Sequence, residues 1–203
     1  MPELPEVETI RTELLPWVLE QQFVEVNVLD SKLVQSSLAG GLQMLVGQSV
    51  QNLERRGKYL IFHLSNKQSL IIHLRMTGRL LIDPKEVDKY ARAIFLFSSG
   101  TKLVFSDMRR LGVIYLVRDA ESVVGRLGVD PLSDGFTVEL LLKLMRRHRI
   151  PIKVALLDQS IIAGIGNMYA DEALFAAKVH PLVLTDELSI QQGENLYLSL
   201  IHI

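Results

Sequence analysis

The sequence predicts an α+β protein in which an antiparallel β-sandwich with an N-terminal helix precedes a helical domain. Two patterns carry this expectation. Between residues 23 and 117, short β-branched and aromatic runs recur between turn signals such as Gly78, Asp83-Pro84 and Ser99-Gly100. From about residue 133 the apolar positions change to helical spacing, as in Phe136, Val138, Leu140, Leu141, Leu144 and Met145. With 203 residues, 48% apolar and 22% charged, the chain has an ordinary globular composition, sufficient for one large domain or two small ones.

The elements follow in order. Val7, Ile10, Leu14, Leu15 and Val18 repeat at helical spacing over 7–20, and Pro16 is expected to loosen the last turn. Strands are predicted at 23–29, 58–64, 69–76, 92–98, 102–107 and 112–117, a series that suits an antiparallel sandwich. The segment DPLSD (130–134) reads as a linker, which sets the domains at 1–132 and 133–203. Beyond it, helices are predicted at 136–145, 152–157 and 169–177, the last behind the turn Ala163-Gly164-Ile165-Gly166-Asn167. There is no internal repeat.

Composition excludes several classes. The apolar share is too high for a disordered chain, and 13 Gly and 7 Pro are too few for a collagen-like one. No apolar run approaches the roughly 18 residues of a membrane span, and MPELPEVE is too charged for a signal peptide. Zero cysteines leave no disulfide and no thiolate metal site, which points to a reducing compartment. Lys and Arg number 22 against 23 Asp and Glu, so bulk charge does not announce a nucleic-acid partner. Positive charge is instead local, in ERRGK (54–58), MRR (108–110) and KLMRRHRIPIK (143–153). These runs suit either one basic face or three solvated clusters on different faces.

The N-terminus offers distinctive chemistry. Removal of Met1 would leave Pro2 with a free secondary amine, far less basic than a lysine and therefore more often neutral and nucleophilic at pH 7. Such an amine attacks an aldehyde-like carbon to give an iminium. Glu3 beside it and Glu6 one turn on are candidates for proton transfer and orientation. Taken alone, the same residues also suit a plain helix start with acidic first-turn residues.

Six motifs, in order, lift that ambiguity: PELPEVET at 2–9, RRGKYLIF at 55–62, HLRMTG at 73–78, DMRRLG at 107–112, LGVDPL at 127–132 and AGIGNMYADEALFAAKVHP at 163–181. Together they resemble the formamidopyrimidine-DNA glycosylase family, the Fpg/MutM branch of the Fpg/Nei enzymes, over roughly residues 1–195. PELPE rather than PEGPE favours this purine-directed branch over the endonuclease-VIII one. The resemblance implies an N-terminal β-sandwich, a helix-two-turns-helix domain and, in the family, a C-terminal zinc finger. It also implies a bifunctional glycosylase and AP lyase that removes 8-oxoguanine and formamidopyrimidines from double-stranded DNA.

By the same resemblance, Pro2 is the nucleophile at C1′, Glu3 the acid and base, Glu6 a support for the site, and Lys58 a proton donor in β-elimination. Extruding a base costs a few kcal/mol and leaves a hole in the stack. Met76 matches the wedge that fills it and Arg109 the arginine facing the orphaned base. Leu111 stands where many members carry phenylalanine, and Met108 where many carry proline. Lys153 and Asn167 match residues that hold the DNA backbone, with the glycines of Gly-Ile-Gly-Asn letting N–H groups approach a phosphate. His148 lies in the basic run 146–149. Tyr90 occupies a DNA-contact position where many members have histidine, which weakens the match there. His63 and His73 read as structural.

The chain departs from the family at its end. The zinc finger requires four cysteines and this chain has none, so no metal and no cofactor is expected. The ending LYLSLIHI lacks the expected amphipathic, charged pattern, which suggests a reading frame cut short with foreign residues at its end. The alternative function is therefore a weak or inactive DNA-binding fragment, and a small-molecule enzyme using an N-terminal proline is a distant third. The expected setting is a bacterial cytoplasm at the nucleoid, as a monomer and without a membrane.

Overall fold

Val7, Leu14 and Val18 fall on one buried stripe of helix α1, Leu4–Val18. The helix runs through Pro16 without a break, and the Leu19 N–H still reaches the Leu15 carbonyl at 3.0 Å. The expected loosening does not occur, because proline in the last turn removes only one hydrogen bond. This computed structural model describes residues 1–36 and 38–202. Ser37 and Ile203, the last residue of the unusual ending, lie outside the described residues.

Two compact units divide the chain. One comprises Met1–Pro2 and Glu6–Gly125, the other Glu3–Pro5 and residues from Arg126 onward. The division falls after Gly125 rather than within 130–134. The Gly128 N–H bonds the Gln159 carbonyl at 2.8 Å, and the Ala163 N–H bonds the Val129 carbonyl at 2.9 Å. DPLSD is thereby fastened to the helical unit, and Asp130 is buried there, accepting the Leu132 N–H at 3.0 Å.

The first unit is a sandwich of two sheets. One sheet orders β1 (Phe23–Val28), β7 (Ala91–Phe97), β8 (Lys102–Asp107) and β6 (Gly78–Ile82). The other orders β2 (Val34–Ser36), β9 (Val113–Val117), β5 (Ser69–His73), β4 (Tyr59–Leu64) and β3 (Val50–Arg56). Phe23, Phe95, Phe97 and Phe105 from the first sheet meet Leu60, Phe62, Leu70 and Ile72 from the second in a single core. In β7, Ala91, Ala93, Phe95 and Phe97 are buried and the intervening residues only partly so, the period of two that a half-buried strand requires. The pairing of β2 with β9 is parallel, a departure from a wholly antiparallel sandwich. A short helix, α2 (Glu121–Val124), closes the unit.

The second unit is helical: α3 (Val138–Met145), α4 (Ile152–Leu157), α5 (Asn167–Ala177) and α6 (Ile190–His202). Thr137 caps α3 by accepting the Leu140 N–H at 3.2 Å. Leu141, Met145, Ile152, Leu156, Leu174, Leu196 and Leu200 share its core. The ending is more regular than its composition suggested. Leu196 and Leu200, one turn apart, are both buried while Leu198 is exposed, so helical amphipathicity persists to His202. Among the described residues, no helix is long and apolar enough to cross a membrane.

Candidate active site

In the first unit, Pro2 lines a pocket of about 420 Å³ with Met76, Thr77, Gly78, Arg79, Tyr90 and Met108. Met76 stands at the tip of a tight turn. Arg75 takes a left-handed conformation (φ 54°), its N–H bonds the His73 Nδ1 at 3.0 Å, and the Gly78 N–H returns to the Leu74 carbonyl at 3.0 Å. That geometry leaves the Met76 side chain 45% exposed although its neighbours Leu74 and Gly78 are buried. Tyr90 is held through its backbone, its N–H on Asp88 at 2.8 Å and its carbonyl receiving the Asp107 N–H at 2.9 Å. The Lys89 ammonium lies 5.2 Å from the centre of the Tyr90 ring.

Arg109 and Leu111 are exposed on the loop after β8, and a single buried carboxylate shapes that loop. Asp107 accepts the Thr77 hydroxyl and the N–H groups of Arg109 (3.1 Å), Leu111 (2.8 Å) and Gly112 (2.7 Å). Burial alone would raise its pKa, yet these bonds outweigh it and hold the carboxyl below the ordinary range. Arg110 adopts φ 57°, and its guanidinium reaches Asp30 at 2.8 Å. The backbone is thus fixed while the two side chains remain free to project.

Lys58 enters at the head of β4, after Gly57 in a left-handed turn, and is 7% exposed. Its charge acts on His73, which is buried, stacks edge-on to Tyr59 at 4.4 Å and is depressed to about 3 by burial, Arg75 and Lys58. His73 is therefore neutral and structural. The run ERRGK is not a solvated basic cluster: Arg55 is buried against Glu8 at 2.7 Å. Glu6, on the first turn of α1, is half-buried.

In the second unit, the Glu3 carboxylate lies at the start of α5. It accepts the N–H groups of Gly166 (2.7 Å), Met168 (3.1 Å) and Tyr169 (3.3 Å), and Glu3 is 3% exposed. The Leu4 N–H meets the Gly164 carbonyl at 3.0 Å. A β-carbon on Gly166 would lie 2.4 Å from the Glu3 carboxyl carbon, so glycine is required for this approach. The resemblance assigns the N–H groups of this loop to a phosphate. Here the anion at the helix N-terminus is the chain's own Glu3, which satisfies the same unpaired donors. Asn167 is exposed on the first turn of α5, Lys153 pairs with Asp171 at 2.6 Å, and His148 is exposed in the turn after α3.

Two family models match the chain: the formamidopyrimidine-DNA glycosylase N-terminal domain over residues 1–114 and the formamidopyrimidine-DNA glycosylase H2TH domain over residues 127–203. The chain belongs to the formamidopyrimidine-DNA glycosylase family. It is 42% identical over 204 residues to the family enzyme of Protochlamydia amoebophila, covering 98% of this chain and 74% of that protein. Against the enzyme of Shouchella clausii it is 41% identical, covering 97% and 74%. The crystal structure of MutM (Fpg) from Thermus thermophilus superposes with a TM-score of 0.87 at 35% identity, covering 99% of this chain and 74% of that one. The Lactococcus lactis Fpg, non-covalently bound to DNA containing an AP site, gives 0.87 at 32%, covering 98% and 79%.

The zinc that the family fold implies does not fit the residues present. The chain has no cysteine, and among the described residues no group of three His, Cys, Asp or Glu could hold a metal. The motif DMRRLG does not by itself mark Asp107 as its organiser, and no sequence pattern singles out Thr77, Asp30 or Gln159. An aspartate whose short carboxylate can accept the backbone N–H two residues on is the one sequence signal that points to Asp107.

Proposed function

We propose that this chain is a DNA glycosylase and AP lyase acting on oxidised purines, 8-oxoguanine and formamidopyrimidines, in double-stranded DNA. The observation that carries this reading is the pocket in which Pro2 shares its walls with Met76 and Tyr90. After loss of Met1, the neutral Pro2 nitrogen attacks C1′, the glycosidic bond breaks, and the base leaves with a proton while the nitrogen gives up its own. Cleavage of the C1′–O4′ bond, with protonation of O4′, then opens the sugar ring and yields the C1′=N iminium. The iminium then acidifies the C2′ proton, whose removal expels the 3′ phosphate by β-elimination. Glu3 serves proton transfer, Lys58 the elimination, and Glu6 the support of α1 in this scheme.

Met76, Arg109 and Leu111 fill the space of the extruded nucleotide. Leucine does so by bulk without aromatic stacking. Tyr90, His148, Lys153 and Asn167 contact the strand around it. The exposed thioether of Met76 and the fixed backbone beneath Arg109 and Leu111 support these roles. We place the work in a bacterial cytoplasm, carried out by a monomer.

Borohydride trapping tests the scheme, using duplexes with one 8-oxoguanine or one abasic site and a Pro2→Gly variant alongside. The expected result is a covalent adduct on both duplexes that weakens in the variant. An adduct on the abasic duplex alone would retain the lyase chemistry and overturn base removal. No adduct from a folded chain would overturn the whole reading.

A further inference from the structure

Glu3 keeps its geometry only while the loop 163–167 keeps its own, and that loop is held from behind by one side chain. The Gln159 amide makes three hydrogen bonds. Its Nε2 donates to the carbonyls of Leu157 (3.0 Å) and Ile165 (2.8 Å), and its Oε1 accepts the Gly164 N–H at 2.9 Å. Two of these fall on the two residues before Gly166, the first donor to Glu3. Gly164 has φ +93°, and its carbonyl receives the Leu4 N–H on the other side. The loop is therefore gripped between the Gln159 amide and residues 3–4. The Gln159 carbonyl also accepts the Gly128 N–H at 2.8 Å, which anchors the gripping residue itself.

We propose that Gln159 is a positioning residue for Glu3: its amide sets the 163–167 loop so that the N–H groups opening α5 converge on that carboxylate. The inference rests on the proposed role of Glu3 in proton transfer. Gln159 touches no reacting atom and acts by fixing where the Glu3 oxygens lie. Glutamine suits the place because the site needs one acceptor and two donations from the same planar group. Leucine supplies the bulk and none of the bonds. An ionised glutamate keeps the acceptor and turns it against two carbonyls.

The test uses the full chain with Gln159→Leu and, should that variant fail to fold, Gln159→Glu. Amide hydrogen exchange is read first. The N–H groups of Gly166, Met168 and Tyr169 should exchange about tenfold faster or more, while those of Leu196 and Leu200 in α6 keep native protection. Unchanged exchange at the first three, or an equal rise throughout the second unit, would overturn the proposal.

Single-turnover base removal is read second. Gln159→Leu should lose about tenfold or more, as displaced catalytic groups do, and should lose nothing further in a Glu3→Gln background. Losses that multiply would show that Gln159 acts independently of Glu3 and overturn the proposal. A native chain that forms no adduct on either duplex overturns the functional reading instead, and the exchange result then decides the role of Gln159 alone.

Discussion

The Thr77 hydroxyl donates to the Asp107 carboxylate, and that bond joins the turn bearing Met76 to the loop bearing Arg109 and Leu111. Both candidate wedges therefore rest on one buried charge. Thr77→Val keeps the shape and removes the link, at a cost of about 1–3 kcal/mol. We expect base removal from an 8-oxoguanine duplex to fall more than cleavage at a preformed abasic site, which needs no base extruded. Equal losses on the two duplexes would refute the coupling.

Asp30 holds Arg110 in its left-handed conformation from the loop after β1. Asp30→Ala removes that anchor and the acceptor for the Lys32 N–H. The variant should bind intact duplex about as well as native and lose discrimination for the base opposite the lesion. Titration against the four opposite bases reads this directly, and an unaltered preference would count against it.

Acid should weaken the first unit before it denatures the second. Glu8 would be raised by burial, but its bonds to Arg11 and Arg55 pull it below 4.5, so its stabilisation is present above that pH and fades as pH falls through the lower folded value. Asp107 behaves alike from 3.8. His73 adds to them with the opposite chemistry: it stays neutral down to about 3, whereas the unfolded chain takes up a proton below 6.5. Stability should therefore begin to fall as pH drops through 6.5, by at most about 1.4 kcal/mol per pH unit from this one group. His73→Asn, which retains an acceptor for the Arg75 N–H, should flatten that first slope in thermal melts. An NMR titration of His73 with a midpoint near 6.5 would contradict the assignment.

Gly166→Ala places a methyl 2.4 Å from the Glu3 carboxyl carbon. Either Glu3 or the loop must move, and we expect adduct formation to fall about a hundredfold or more with the fold retained by circular dichroism. An adduct yield near native would show that Glu3 does not need this seat.

Lys153 spends its charge on Asp171 at 2.6 Å. Asp171→Asn should release it toward phosphate and tighten DNA binding several-fold at low salt, with a steeper salt dependence by about one counterion. Fluorescence anisotropy across a salt series measures both, and an unchanged slope would mean that Lys153 faces away from the strand.

The strands legible in the sequence were those with apolar alternation or β-branched runs, such as β4, β7 and β8. Strand β3, VQNLERR, is not legible in the sequence because Val50 and Leu53 are its buried apolar residues and the rest of it is polar. The sandwich followed by helices was readable, whereas the fastening of 126–132 to the helical unit was not, since it depends on hydrogen bonds to residues 159–163. Pro2 and Glu3 could be named from a motif. That the Gly-Ile-Gly-Asn loop serves Glu3 could not, because spacing does not reveal a partner 163 residues away. Gln159 was invisible for the same reason: an isolated glutamine carries no pattern, and its meaning lies in three bonds that exist only in the folded loop.

The distance along the chain between Glu3 and its seat has a consequence for biosynthesis. A ribosome adding about 5–20 residues per second takes on the order of ten to thirty seconds to travel from Glu3 to Gly166. Throughout that interval the sandwich strands can assemble, but residues 3–5 have nowhere to dock. Removal of Met1, where the proposed chemistry requires it, would then uncover the Pro2 amine before the carboxylate beside it has its seat.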